Sequence, residues 1–321
     1  MKKLFVSMLA VAALVSCSKE QTVSFDKGEL IGFNSFVENS TRAAVDPSYG
    51  ANGEALEKFQ VWGTVNGGNG LVAIFAGADV EGVVGSNIVD GKETNLWYCD
   101  VKQYWIKDAI YNFAALVNAT NDITLVDYLP TKVNGFVANG ETDLLYARSE
   151  ENITGLASGN GPVNFNFEHL LSKVKFTVVN NSVDAEEYSF EVNNIVIKGK
   201  NTGDVTLATK VWSNTSNEFP YGVDPITVDA DEDAETDTAE CAQELLLIPG
   251  DYTINFNVDI YNGTTKLGSQ TYPVAGGSYE KTLAVGNAYN FIITVAVGEE
   301  ITFSVEEQPE WDTTGNTVDL Q

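Results

Sequence analysis

The chain holds one histidine, His169, in the apolar setting FEHLLSK. Nucleophilic catalysis needs a base beside the nucleophile and a third group to orient that base. His169, flanked by Phe167 and Leu170, reads instead as a structural residue at a strand end. Zinc takes three or four nitrogen or sulfur ligands, which one histidine and the distant Cys99 and Cys241 do not supply. The glycines of GGNG (67–70) and GNG (159–161) lack the Lys and Ser/Thr of a phosphate-cradling loop. Among 45 acidic residues, a carboxylate pair carries meaning only once its geometry is known. The acidic run 229–240 offers oxygens to a hard cation but lacks the ligand spacing and turn glycine of a calcium loop; it reads as a solvated loop. No catalytic residue, metal site or cofactor is expected.

Two other groups of residues carry chemical meaning. Trp97, Tyr98, Tyr104 and Trp105 cluster in LWYCDVKQYW; exposed, they would stack on sugar rings, and buried, they would fill a core. At the N-terminus, Lys2 and Lys3 precede an apolar run from Leu4 to Val15 that is too short for a stable membrane span. Leu14-Val15-Ser16-Cys17 resembles a bacterial lipobox. That resemblance implies cleavage before Cys17 and its acylation with palmitate-type chains, several of which anchor a protein firmly where one does not. It also accounts for the odd cysteine. Cys99 and Cys241 fall in different expected domains and read as two separate thiols.

The elements that must position these residues are strands. Period-2 and short apolar runs recur through the chain, punctuated by Gly, Asn and Asp, and no helical period is sustained. The run 109–117 reads as a buried strand or a short helix, and NDITLVDYLP is expected to stop at Pro130. The 321 residues, 44% apolar, suffice for two domains, and the small, Gly-rich stretch 157–162 marks a boundary. A net charge of -27 repels phosphate backbones and acidic headgroups, so nucleic acid is excluded as a partner.

Several segments, in order, resemble the fimbrillins, the subunits of type V fimbriae. They are the lipobox at Cys17, IGFNSFVENSTRA (31–43), YWIKDAIYNFAAL (104–116), TDLLYA (142–147), FNFEHLLSKVKFTV (165–178), GNAYNFIITV (286–295), ITFSV (301–305) and Trp311. The resemblance implies an all-β chain of two transthyretin-like Greek-key β-sandwich domains in tandem. Residues 1–16 would be a lipoprotein signal peptide, 17–42 a tether and removable N-terminal strand, 43–160 the first sandwich and 161–321 the second. It further implies an outer-membrane lipoprotein precursor that an Arg-specific protease cuts between Arg42 and Ala43. Leu30, Ile31, Phe33 and Phe36 would plug the first sandwich until a strand from another fimbrial subunit replaces them, giving a stalk or tip subunit of an adhesive surface fimbrium. Only ten residues follow Trp311; within them Val318 and Leu320 alternate as a short donor strand. The alternative is an uncleaved surface lipoprotein that binds a host or bacterial glycan or protein through the Trp97–Trp105 cluster.

Overall fold

The computed structural model describes residues 29–37, 58–81, 87–89, 92–94, 97–99, 101–119, 122–182, 188–229, 237–274 and 277–308. These residues form 23 strands and no helix. From the N-terminus they are β1 (Phe33–Val37), β2 (Lys58–Asn66), β3 (Leu71–Glu81), β4 (Asn87–Val89), β5 (Lys92–Thr94), β6 (Tyr98–Cys99), β7 (Ile110–Val117) and β8 (Asp122–Val126). Then come β9 (Leu129–Val137), β10 (Leu145–Arg148), β11 (Ile153–Thr154), β12 (Val163–His169), β13 (Ser172–Asn180), β14 (Tyr188–Thr206), β15 (Val211–Val223) and β16 (Ile226–Val228). The last are β17 (Asp237–Glu240), β18 (Leu245–Leu247), β19 (Gly250–Asn262), β20 (Thr265–Tyr272), β21 (Tyr279–Leu283), β22 (Ala288–Val295) and β23 (Thr302–Gln308). The chain is all-β, as the residue pattern indicates.

Three sheets organise the strands. The first runs β1-β12-β10-β7-β2-β3-β6, with β11 beside β7. The second runs β17-β13-β22-β23, with β18 beside β13. The third runs β20-β19-β14-β9-β8, with β15 and β16 beside β14 and β21 beside β19; β4 and β5 pair as a separate ribbon. The second and third sheets pack face to face around Val174, Phe176 and Val178 of β13, Phe291 and Ile293 of β22, and Ile254, Phe256 and Val258 of β19. Each of these strands alternates in and out, as a sheet with one wet face must.

The first sheet is covered on both faces. Tyr111, Phe113, Ala115 and Val117 of β7 enter one core with Phe59, Phe75, Phe165 and Phe167. Ala114 and Leu116 enter another with Trp62, Tyr146, Leu129, Val133, Phe136 and Val205. Two-sided burial makes a strand read as a continuous apolar run, which is why 109–117 reads equally as helix or strand.

Hydrogen-bonded strands cross the stretch 157–162 in both directions. β12 lies in the first sheet beside β10 and β1, whereas β9 joins the third sheet through Thr202–Thr206 of β14. The segment expected to stop at Pro130 continues instead. It reverses at Asp127-Tyr128, and Pro130 is the second residue of β9, opposite Leu125. Proline lacks an N–H but is tolerated near a strand's start, and the β8–β9 register shifts just there. In the acidic run, Asp237–Glu240 is strand β17 rather than loop: it pairs with Thr177–Asn180 of β13, and Ala239 packs on the core.

Candidate functional site

The segment 29–37 is held on two sides. On one side, β1 pairs parallel with β12 from Phe33↔Val163 to Val37↔Phe167, and the Val163 N–H donates to the Gly32 carbonyl at 2.8 Å. On the other, the Ile31 N–H donates to Gln103 O, and Phe33 and Trp97 exchange N–H···O bonds, all at 2.9 Å. The Trp105 N–H donates to Glu29 O at 3.0 Å, and Leu30 bridges Tyr104. β6, next to Trp97, is the opposite edge of the same sheet. The segment therefore links the two edges of the first sheet and closes it around its core.

Side chains follow the backbone. Phe33 is completely buried and Ile31 nearly so. The Phe33 ring stacks on Phe165 with centroids 5.6 Å apart and meets Phe75 at 5.6 Å, Phe113 at 6.2 Å and Phe59 at 6.3 Å edge-on. Such pairs add about 0.5–1.5 kcal/mol each beyond area burial. Between them Asn34 faces water, its side-chain amide donating to Asn164 Oδ1 at 2.9 Å across the pair. Phe36 is paired through its backbone with Asn166. At the N-terminal end the Glu29 carboxylate accepts the Gly161 N–H at 3.2 Å and packs on Gly159, whose φ of +83° suits only glycine and where a Cβ would collide with Glu29. Cys17, Arg42, Ala43, Val318 and Leu320 lie outside the described residues.

The aromatic cluster resolves to core. Trp97 and Trp105 are 4% and 3% exposed; Trp97 packs on Phe59, and Trp105 on Tyr111 and Phe113. Their indoles present no sugar-stacking surface, whereas Tyr104 is 39% exposed. The reason is the N-terminal segment: it draws residues 97 and 103–105 inward by backbone pairing. Cys99 lies in the core with Phe33, Phe59 and Phe165, and Cys241 packs against the core around Phe176 and Phe291. Each sulfur accepts the N–H two residues on, from Val101 and Gln243, at 3.4 Å, and burial pushes the Cys241 thiol pKa up. His169 ends β12, buried, with Nδ1 2.5 Å from Asp143 Oδ2. Asp143 is itself fully buried, and its Oδ1 accepts the Leu144 N–H. No group of three or more metal-ligating side chains occurs among the described residues.

Architecture and sequence together define a class. The family model described as fimbrillin-like matches residues 41–309. The chain belongs to the fimbrillin-like family, and that family implies assembly with other fimbrial subunits in a fimbrium at the cell surface. A crystal structure of a fimbrial protein from Bacteroides vulgatus is similar at 14% identity and a TM-score of 0.57, covering 86% of this chain and 98% of that one. A candidate cell adhesion protein from Bacteroides ovatus is similar at 14% identity and a TM-score of 0.52, covering 90% and 99%. At these identities the likeness is one of fold. Comparison with curated protein sequences gives no match.

Proposed function

We propose that the chain is a structural or tip subunit of an adhesive fimbria, exported as an outer-membrane lipoprotein through Cys17, cut between Arg42 and Ala43, and assembled by strand exchange into the channel that residues 29–37 occupy. The observation that carries this reading is the double pairing of 29–33 with Phe33 at the centre of four rings. Burying Ile31 and Phe33 stabilises the chain by about 1.5–3 kcal/mol each. Five flanking backbone bonds add about 0.5–1.5 kcal/mol each. Those sums are of the order of a whole domain's stability, about 5–15 kcal/mol. An emptied channel would expose apolar rings and unpaired edges together, so it requires a replacement strand.

The position of the cut follows from the chain's two arginines, Arg42 and Arg148. Arg148 is the last residue of β10 and pairs with Ala114 of β7, and a protease needs an extended, unpaired backbone. Val318 and Leu320 are spaced as Ile31 and Phe33 are, and serve as donor residues for the next subunit. Head-to-tail donation does not close on itself and so builds a filament. On this reading the first unit of the mature chain, from residue 43, includes β12, and the second is the sandwich around Phe176 and Phe291.

The test treats the full chain with an Arg-specific protease and sequences the product's N-terminus. The expected product starts at Ala43, and the Arg42→Ala variant yields none. Cleavage inside the folded core with Arg42–Ala43 intact would overturn the reading. Labelling cells with a palmitate analogue is expected to mark the wild type and not Cys17→Ala.

A further inference from the structure

A second recess lies on the other face of the first sheet. It is a pocket of about 310 Å³ where the β8–β9 turn leans over strands β2, β7 and β10. Its floor carries polar side chains that the protein leaves poorly satisfied. Thr64 is 1% exposed, and its hydroxyl finds only the Asn112 carbonyl at 3.5 Å, at the limit of a hydrogen bond. Tyr146 is 6% exposed, and among the described residues its hydroxyl has no hydrogen-bond partner. A buried hydroxyl without a partner costs about 1–3 kcal/mol, so a pocket lined by the unpartnered Tyr146 hydroxyl and the long-bonded Thr64 hydroxyl is suited to a guest that supplies better bonds.

The rim adds both signs of hydrogen-bonding group. Arg148 uses one guanidinium nitrogen on Glu151, 3.2 Å away, and is 43% exposed. Its other donors remain available to a ligand. Asp127 and Glu151 supply acceptors. Leu129 and Pro130 form an apolar wall. The turn above is unusual. Asp127 and Tyr128 have φ of 50° and 65°, a two-residue reversal that ordinarily selects Asn-Gly. A bulky Tyr there is strained, and such strain concentrates at binding sites.

We propose that this pocket binds one ring of a neutral sugar. A hexose ring presents hydroxyls that both donate and accept, matching Thr64, Tyr146, Arg148, Asp127 and Glu151, and an apolar C–H face that suits Leu129 and Pro130. The volume is at the small end for ligand sites, about 300–1,000 Å³, which fits a single ring. Acidic sugars are disfavoured: two carboxylates face one guanidinium, and the chain's net charge is -27. The site is independent of the N-terminal channel, because Thr64, Asn112, Tyr146 and Arg148 lie on the face of the sheet opposite Phe33.

Saturation-transfer NMR of the full chain with the methyl glycosides of glucose, galactose, mannose, fucose and N-acetylglucosamine tests the proposal. At least one is expected to bind in the millimolar range. Tyr146→Phe, which removes only a hydroxyl, and Arg148→Gln are each expected to weaken binding about tenfold with the melting temperature held. Lys281→Ala, in the separate groove between β14, β19 and β21, is expected to change nothing. Absence of binding across the neutral set, binding unaffected by both pocket variants, or stronger binding of methyl glucuronide would each overturn the proposal.

Discussion

Phe33 and Asp204 show how much single side chains carry. Phe33 fills a space bounded by four aromatic rings. Phe33→Ala is expected to destabilise the uncut chain by about 3–5 kcal/mol, read as a lowered denaturation midpoint. Asn34→Ala, on the wet side of the same strand, is expected to cost about 0.5 kcal/mol or less. Asp204 joins three strands: Lys132 Nζ and Asn214 donate to one carboxylate oxygen at 2.8 and 2.7 Å, and the Gly135 N–H to the other at 2.8 Å. The Lys132 bond, then Asn214 and Gly135, lower its pKa from 3.8 to about 2. Because the folded value lies below the unfolded one, the stabilisation is complete above the unfolded pKa and disappears as pH falls through the folded one. Denaturation at a series of pH values is expected to show the stability gap between wild type and Asp204→Asn shrinking as pH drops from about 4 to about 2. A gap independent of pH in that window would mean that Asp204 acts as a neutral hydrogen-bond acceptor only.

Strands were legible in the sequence where one face is wet and the other dry. β12 and β13 alternate residue by residue, Val163, Phe165 and Phe167 inward in one and Val174, Phe176 and Val178 in the other, and their pattern is plain. β15 is not legible in the same way. It pairs with β14 from Ile195↔Val223 to Thr206↔Val211, yet most of it is exposed, so VWSNTSNEFPYGV carries almost no period. Backbone pairing along β14 holds it, and residue type records that weakly. The two-residue turn at Asp127-Tyr128 escaped for a related reason: neither residue is the glycine that normally marks positive φ. The N-terminal strand was legible as an apolar segment with Leu30, Ile31, Phe33 and Phe36, but its neighbours were not, because a parallel pair with β12 joins residues about 130 positions apart. The long-bonded Thr64 hydroxyl and the unpartnered Tyr146 hydroxyl leave no sequence signal, since only the meeting of β2, β10 and the β8–β9 turn defines their pocket. Gly63 of β2 offers a test of packing at this scale. A Cβ there would lie 2.7 Å from Phe113 Cδ1 and 2.8 Å from Phe75 Cδ2, and both rings touch Phe33. Gly63→Ala is therefore expected to cost about 1–3 kcal/mol by overpacking, in a calorimetric or denaturant melt, and to loosen the N-terminal segment. Faster proteolysis at Arg42 in this variant is the accompanying readout.

For the whole molecule, strand exchange as proposed makes closure of the first sheet the difference between a stable monomer and an assembling one. While residues 29–37 span its edges, the Trp97 N–H and carbonyl, the Gln103 carbonyl and the Trp105 N–H are bonded to Phe33, Ile31 and Glu29. Once they leave, the partner must come from elsewhere, and stability becomes a function of concentration. Mass action sets the size of the effect: a ligand that binds only the folded state adds about 2.7 kcal/mol at a hundredfold excess over its Kd. The chain trimmed at Arg42 and stripped of its N-terminal fragment is thus expected to melt at a lower temperature than the precursor and to grow in mass with concentration in light scattering. A synthetic peptide of residues 29–37 added in excess is expected to restore the melting temperature and hold the protein monomeric. The same peptide with Ala at the Phe33 position is expected to do neither, since it keeps the backbone bonds but not the ring. If trimming and stripping leave the melt unchanged, the N-terminal strand is an ornament on a sheet that is stable without it. If both peptides rescue equally, backbone pairing alone governs the exchange and the aromatic pocket confers no selectivity on the incoming strand.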